Sequence, residues 1–527
     1  MSAKKFAIYS STVFTGIPDK LWAEAVGIKN NCIFVVGTNQ EVKAAMPDAK
    51  AFELPGRLVT PGFVDGHCHL VGFARAQLMI DLNGLTSLKN CRERIQKVVS
   101  RAKPGQWILG RGWNHHLWTE ARTPTKEDLD DISPDNPLMM IRTCGHSEWL
   151  NSKALEMVSI TPESPDPSGL RFDRDAAGGL TGLLHEAREL VMESIPPFAD
   201  EELKTALHKA QSEALKLGLT GLHTCESLTE WKLLKEMDEK DQLKLRVHHL
   251  VQPYDLAEFD ELGLAWTSGT QRLWIGHLKL FADGSLGSGT ALMHDPYDDE
   301  PDNCGIHRLD AMELKENILE AYKRGLSVAI HAIGDKASTN ALDAIAHGRE
   351  QYPGPWRDRI EHVQLCRQED LARYRDMEIV ASVQPVFVQS DWHVADRRWG
   401  SERCSRAYAW KTLMKMGIPV QFGSDAPVES NRPILGLQAA VLRQTSDLKP
   451  QGGWQPAQKL TLEESLAGYT RTAAYTSQKE EHLGSLEPGN WADLTVFEKD
   501  LTITPAQEWH NVNVEMTIVD GDIVYCK

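Results

Sequence analysis

The segment Pro61-Gly62-Phe63-Val64-Asp65-Gly66-His67-Cys68-His69 carries the densest chemistry in the chain. Residues two apart on a strand point to one side, so His67 and His69 can offer two imidazoles to one ion. A His-x-His pair alone is a weak signal and reads more readily as two packed histidines. The apolar run and the Asp-Gly pair before it strengthen the metal reading. Cys68 points the other way in that geometry and reads as packing. His331 ends Ser327-Val328-Ala329-Ile330, His362 follows Arg359-Ile360-Glu361, and Asp425 closes Phe422-Gly423-Ser424. Imidazole suits zinc, iron, nickel or copper. A carboxylate among imidazoles can bind a metal and also take a proton. Lys279 lies in His277-Leu278-Lys279-Leu280-Phe281-Ala282, among apolar neighbours. A charged ammonium buried there without a partner costs several kcal/mol or more. Burial favours the neutral amine, which can add carbon dioxide to become a carbamate, an anionic ligand able to bridge two metals. The alternative is a lysine that reaches past the strand end or pairs with an aspartate.

These residues need elements to carry them. An apolar stripe at Leu203, Leu207, Ala210, Ala214 and Leu217 stops at Gly218 and passes into Leu219-Thr220-Gly221-Leu222-His223-Thr224. Leu314, Ile318, Leu319 and Tyr322 stop at Gly325 before Leu326–His331, and Leu413 and Met416 stop at Gly417 before Ile418–Asp425. The stripes have helical spacing, the glycines suit left-handed caps, and the strands read as buried on both faces. Alternating helix and strand predict a parallel sheet. Candidate ligands at the ends of several different strands favour a closed barrel over an open sheet, which would gather them at one crevice. About 150 residues separate His69 from Gly218, far more than a plain βα loop, and predict a subdomain inserted over the barrel mouth. Short β pieces at both ends, from Phe6-Ala7-Ile8-Tyr9 to Ile523-Val524-Tyr525, suggest one composite β domain, with two independent domains as the alternative.

Composition narrows the function classes. Of 527 residues, 41% are apolar and 25% charged, as in an ordinary globular chain. A net charge of −17, from 74 acidic against 57 basic residues, argues against nucleic-acid or anionic-membrane surfaces. No run of 18 apolar residues occurs, and the first ten residues lack the apolar segment of a secretory signal. Nine cysteines without a C-x-x-C fit a reducing, cytoplasmic compartment and no disulfide scaffold.

In chain order the ligand candidates are His-x-His, Lys, His, His, Asp. With this set come Lys279–Ser288, His331-Ala332-Ile333-Gly334-Asp335, Ile360-Glu361-His362, Gly110-Arg111-Gly112-Trp113, Gly145–Ser152 and Gly484–Gly489 before Ala492-Asp493-Leu494. The chain thereby resembles the amidohydrolase superfamily, and more narrowly amidohydrolase family 3, the YtcJ-like metal-dependent hydrolases, with similarity to N-substituted formamide deformylase. The resemblance spans nearly the whole chain. It implies an α/β fold, a (β/α)8 barrel with a small β-sandwich formed by both termini and a large insertion after the first barrel strand. The corresponding boundaries are 1–58, 59–475 with the insertion inside 70–218, and 476–527. It further implies a cation on His67 and His69, a carbamate on Lys279 bridging to a second cation on His331 and His362, and Asp425 completing the first site. Zinc is expected, with iron, manganese or nickel as alternatives. The chain departs from its relatives at Asn114-His115-His116, where an acidic pair is frequent, at Cys144, where Asp is more usual, and at Asn490, where Lys is. None of these touches a ligand candidate.

The expected reaction is attack of metal-activated hydroxide on a carbonyl carbon, cleaving a non-peptide C–N bond of N-substituted amide or formamide type. Asp425 is expected to pass the proton to the leaving nitrogen. The alternatives are a mononuclear deaminase-type hydrolase and a non-catalytic regulator on the same fold. Trp113, Arg142, His146, Glu186 and Gln384 are candidates to contact substrate, each with a structural role as the alternative. A small molecule is the expected partner, with neither nucleic acid nor membrane, and a homodimer is compatible.

Overall fold

A computed structural model describes residues 4–527. Eight parallel strands, all buried, follow one another in chain order around a sheet: β1 (Phe63–Cys68), β2 (Leu219–Cys225), β3 (Arg246–Val251), β4 (Leu273–Phe281), β5 (Val328–Ala332), β6 (Arg359–His362), β7 (Val380–Val383) and β8 (Val420–Phe422). No strand ladder joins β8 to β1. Backbone N–H groups of Ser424 and Asp425 instead donate to His67 O at 3.2 and 2.7 Å, and Gln421 Nε2 donates to Gly66 O at 2.7 Å. The sheet is thus a nearly closed barrel.

The helix–glycine–strand units form as their spacing demands. Helix Asp200–Lys216 packs its apolar stripe on the barrel core, and Ala311–Lys323 begins with a capping box from Asp310 and Glu313. Gly218, Gly325 and Gly417 all have positive φ, at 89°, 70° and 79°. Gly218 also lacks room for a side chain, since a Cβ there would lie 2.6 Å from Thr495 Cγ2.

Strands from both termini form a second sheet. Leu58–Pro61 pairs antiparallel with Leu494–Phe497 at its middle, and residues of both ends share one apolar core around Ile8, Val59, Leu494 and Ile518. The strands make one continuous hydrogen-bonded sheet. The segment after β1 builds a third, six-stranded mixed sheet from Ile80–Asp81 through Ile108–Trp113, Leu138–Arg142, Ser147–Leu150 and Leu180–His185 to Arg171–Arg174, with its own apolar cores. Among the described residues no helix is long and apolar enough to cross a membrane.

Barrel and terminal sheet are joined by a buried ion pair. Arg246, on β3, holds both oxygens of Asp493 at 2.6 and 3.0 Å and reaches Asp520 Oδ1 at 2.7 Å, with its guanidinium 4.1 Å from the Trp491 ring. Removing one partner leaves the other charge buried. Asp493→Ala should therefore lower stability by about 3–5 kcal/mol in urea denaturation. A loss below about 1 kcal/mol would mean the pair behaves as an exposed one.

Candidate metal centre

The six ligand candidates all lie toward the C-terminal ends of barrel strands. His67 and His69 end and follow β1, Lys279 is within β4, His331 within β5, His362 ends β6, and Asp425 follows β8. Cys68 faces the core, away from them.

An uncharged imidazole has one N–H and one bare nitrogen, so an acceptor on one side fixes what the other side offers. His69 Nδ1 lies 3.0 Å from the Cys225 carbonyl, and His331 Nε2 lies 2.9 Å from the Gly284 carbonyl. A carbonyl only accepts, so those nitrogens carry the proton. His362 Nδ1 meets Gln384 Oε1 at 2.8 Å, and His67 Nδ1 meets Glu361 Oε2 at 2.7 Å. Each ring therefore keeps one nitrogen for the interior of the cluster. Burial holds His331 well below its ordinary pKa and pushes His362 down to about 3, so both rings are neutral and able to ligate. Burial would lower His67 too, but the charge of Glu361 outweighs it and raises that ring.

The bare sides converge. His67, His69 and Asp425 offer ligand atoms within 4.8 Å of one another. Asp425 Oδ1 lies 3.4 Å from His67 Nε2 and 3.3 Å from His69 Nε2. Burial would raise the Asp425 carboxyl, but the facing imidazoles hold it well below the usual range. A bare nitrogen facing a carboxylate oxygen at this distance requires a positive charge between them, a proton or a metal ion. His67 and His362 rings are 5.2 Å apart, and His362 and His331 rings 4.5 Å. Lys279 is 0% exposed and its Nζ has no hydrogen-bond partner. Its charge bears on His67, His331, His362 and Glu361. Four imidazoles, two of them held neutral, the Asp425 carboxylate and an orphaned amine make a donor set that fits divalent cations.

Several supporting residues escape sequence reasoning. Glu361 Oε1 binds Arg359 Nε at 2.7 Å, and Arg359, His67 and Lys279 overcome burial to keep this carboxylate far below its usual pKa. Strand alternation would point Glu361 and His362 to opposite sides. Positive φ at His362 (73°) and Val363 (44°) breaks the pleat there and lets both serve the centre. Asp65 accepts from Ser424 N and Oγ at 2.9 and 2.5 Å, tying β1 to the turn after β8. Asp283 accepts from Leu292, Ile333 and Gly334 N–H groups at 2.8–3.0 Å and braces the loop that offers the Gly284 carbonyl.

The candidates for substrate contact separate. Gln384 bonds His362 and so orients a ligand candidate. His146 and Glu186 pair at 2.8 Å, and the His146 ring is 5.4 Å from that of His331, which puts this pair beside the centre. Burial opposes charge on His146, but Glu186 overcomes it and raises the ring to about 9. Arg142 lies above the same loop and donates to Cys144 Sγ at 3.1 Å. Burial would raise the Cys144 thiol, but Arg142 and His146 draw it down to about 7. Trp113 does not face the cleft. It is buried against Trp118 and Trp149 and donates to Met140 O at 2.7 Å, because a large ring completes the small core of the insertion.

The chain and its fold have relatives among known proteins. The sequence matches the amidohydrolase family over residues 50–525. The chain belongs to the amidohydrolase family. It is 34% identical over 98% of its length, and 98% of the relative's, to a putative amidohydrolase, YtcJ, of Bacillus subtilis. It is 28% identical to N-substituted formamide deformylase of Arthrobacter pascens, with 95% of each chain covered. Its fold is similar to that of an uncharacterized metal-dependent hydrolase from Pyrococcus horikoshii at a TM-score of 0.76, with 30% identity over 95% of this chain and 99% of the other.

In this amidohydrolase, Glu361→Gln would remove the charge that orients His67. Outer partners of metal ligands typically contribute about 10–100-fold in affinity. Competition against a chelator should show zinc affinity falling within that range, and an unchanged affinity would deny Glu361 its role.

Proposed function

We propose that this amidohydrolase cleaves a non-peptide C–N bond in an N-substituted amide or formamide, at a centre for two divalent cations, zinc foremost. The convergence of His67, His69 and Asp425 beside the fully buried, unpartnered Lys279 amine carries this reading. The bond type comes from the relative whose name specifies N-substituted formamides.

His67, His69 and Asp425 would hold one cation and His331 and His362 the other. Lys279, by adding carbon dioxide and losing a proton, would become the carbamate shared between them. Cations there supply a water that ionises near neutral pH and a Lewis acid for the scissile carbonyl. The proton work falls to Asp425. Held ionised, its carboxylate takes a proton from the attacking water and returns it to the leaving nitrogen. Three hydrogen-bonded ring nitrogens, on His69, His331 and His362, and the close contact of His67 with Glu361 keep the imidazoles from rotating during this exchange.

A second reading draws on the same triad. His67, His69 and Asp425 alone make a three-donor site, as a mononuclear deaminase-type hydrolase would use. Metal analysis of active protein separates the two. Two equivalents with amine release from N-acyl amines or formamides support the binuclear reading, one equivalent in fully active protein supports the mononuclear one, and no hydrolysis under zinc, manganese, iron or nickel overturns both.

Lys279→Ala should reduce bound metal from two equivalents to one, with short carboxylic acids restoring part of the activity; unchanged metal content would remove the carbamate. Asp425→Asn should lower kcat by about 100- to 10,000-fold, and wild-type turnover would end its proton role.

A further inference from the structure

Two arginines of the insertion have no part in the chemistry above. Arg111 and Arg142 end neighbouring strands, Ile108–Trp113 and Leu138–Arg142. They are 7% and 4% exposed. Arg142 makes one side-chain hydrogen bond, to Cys144 Sγ, and its Nε has no partner. Among the described residues neither guanidinium has a carboxylate within ion-pair distance, unlike the buried Arg246 and Arg359. An uncompensated buried charge is strongly unfavourable. The two persist at the side of the insertion that meets the barrel.

Their position is fixed by the loop after β4. A Cβ on Gly287 would lie 2.9 Å from Arg142 Nη1, and Cys144 Sγ lies 3.3 Å from Ser288 Oγ. That loop supplies the Gly284 carbonyl to His331. Arg111 lies in the field of Asp425 and of Cys144. Of the acids nearby, Glu186 is engaged with His146, and Asp391, which feels Arg142, with the Tyr408 hydroxyl at 2.7 Å; Glu148 lies 3.6 Å from Arg188 Nε and its oxygens have no hydrogen-bond partner. Even ionised, a cysteine meets one of the five donors of a guanidinium. Two buried guanidinium groups without an ion-pair partner thus lie beside the centre in a chain of net charge −17.

We propose that Arg142, seconded by Arg111, receives a carboxylate of the substrate, so that the preferred amides carry an anionic group away from the scissile bond. This rests on the amidohydrolase reading and narrows its substrate class. A planar guanidinium with free donors matches a carboxylate in a two-point contact that lysine or a thiol does not reproduce. The absence of a side chain at Gly287 leaves Nη1 uncrowded on that side.

Calorimetry on the metal-loaded protein, with benzoate and benzamide as probes, tests this. Wild type should prefer benzoate, and Arg142→Met should cut the benzoate-to-benzamide preference by about tenfold or more. Cys144→Asp places a carboxylate against the same guanidinium. It should abolish the preference with Arg142 still present, and it keeps the test alive if Arg142→Met does not fold, which melting curves report. In kinetics, the kcat/KM ratio of an N-formyl amino acid to its carboxamide should fall in parallel. A benzoate preference that ignores both substitutions places the anion on the cations and overturns the proposal, as does a wild type without any preference. Arg142-dependent benzoate binding without hydrolysis of any amide would instead sink the amidohydrolase reading and leave the anion site standing.

Discussion

The rim of the barrel is governed by where four imidazole protons go. Cys225 O, Gly284 O, Gln384 Oε1 and Glu361 each engage one ring nitrogen, and the other nitrogen of each ring turns inward as a consequence. Burial keeps His331 and His362 uncharged, so their inward nitrogens are bare. Bare nitrogens turned toward the low-pKa carboxylate of Asp425 are an arrangement that a proton or a bound cation satisfies, and the unpartnered Lys279 amine lies beside them. The strands, loops and insertion serve mainly to hold those four acceptors still.

The ligand candidates are legible in the sequence because each ends or follows an apolar run, and strand ends at one rim of a barrel are neighbours whatever their separation in the chain. The alternation that pairs His67 with His69 is likewise a local property. The acceptors behind the rings are not legible. Two are backbone carbonyls, which any residue carries, and Glu361 lies on the interior side of its strand with Arg359, where alternation alone would turn the next residue, His362, away; the positive φ of His362 and Val363 is what lets both serve one centre. Trp113 misleads for a related reason. It adjoins a conspicuous Gly-Arg-Gly-Trp motif, yet the residue of that motif that approaches the cleft is Arg111, while the indole fills a core too small to close without it.

The molecule divides its charges by place. Paired ions such as Arg246 with Asp493 and Asp520 join the barrel to the terminal sheet, where complete pairing makes burial tolerable. At the mouth, pairing is left incomplete on Lys279, Arg111 and Arg142. The barrel contributes the cluster of nitrogens, and the insertion the two buried arginines beside it.

The junction between β8 and β1 lacks a ladder and is stitched at the top by the Ser424 and Asp425 amides on His67 O. The same two residues, His67 and Asp425, converge as a ligand pair. An ion gripped there is also a clasp across the weakest seam of the cylinder, so occupancy and closure are one equilibrium. Loss of the ion would loosen the wall itself, and the empty protein would breathe, exchange amide protons and meet proteases first along that seam.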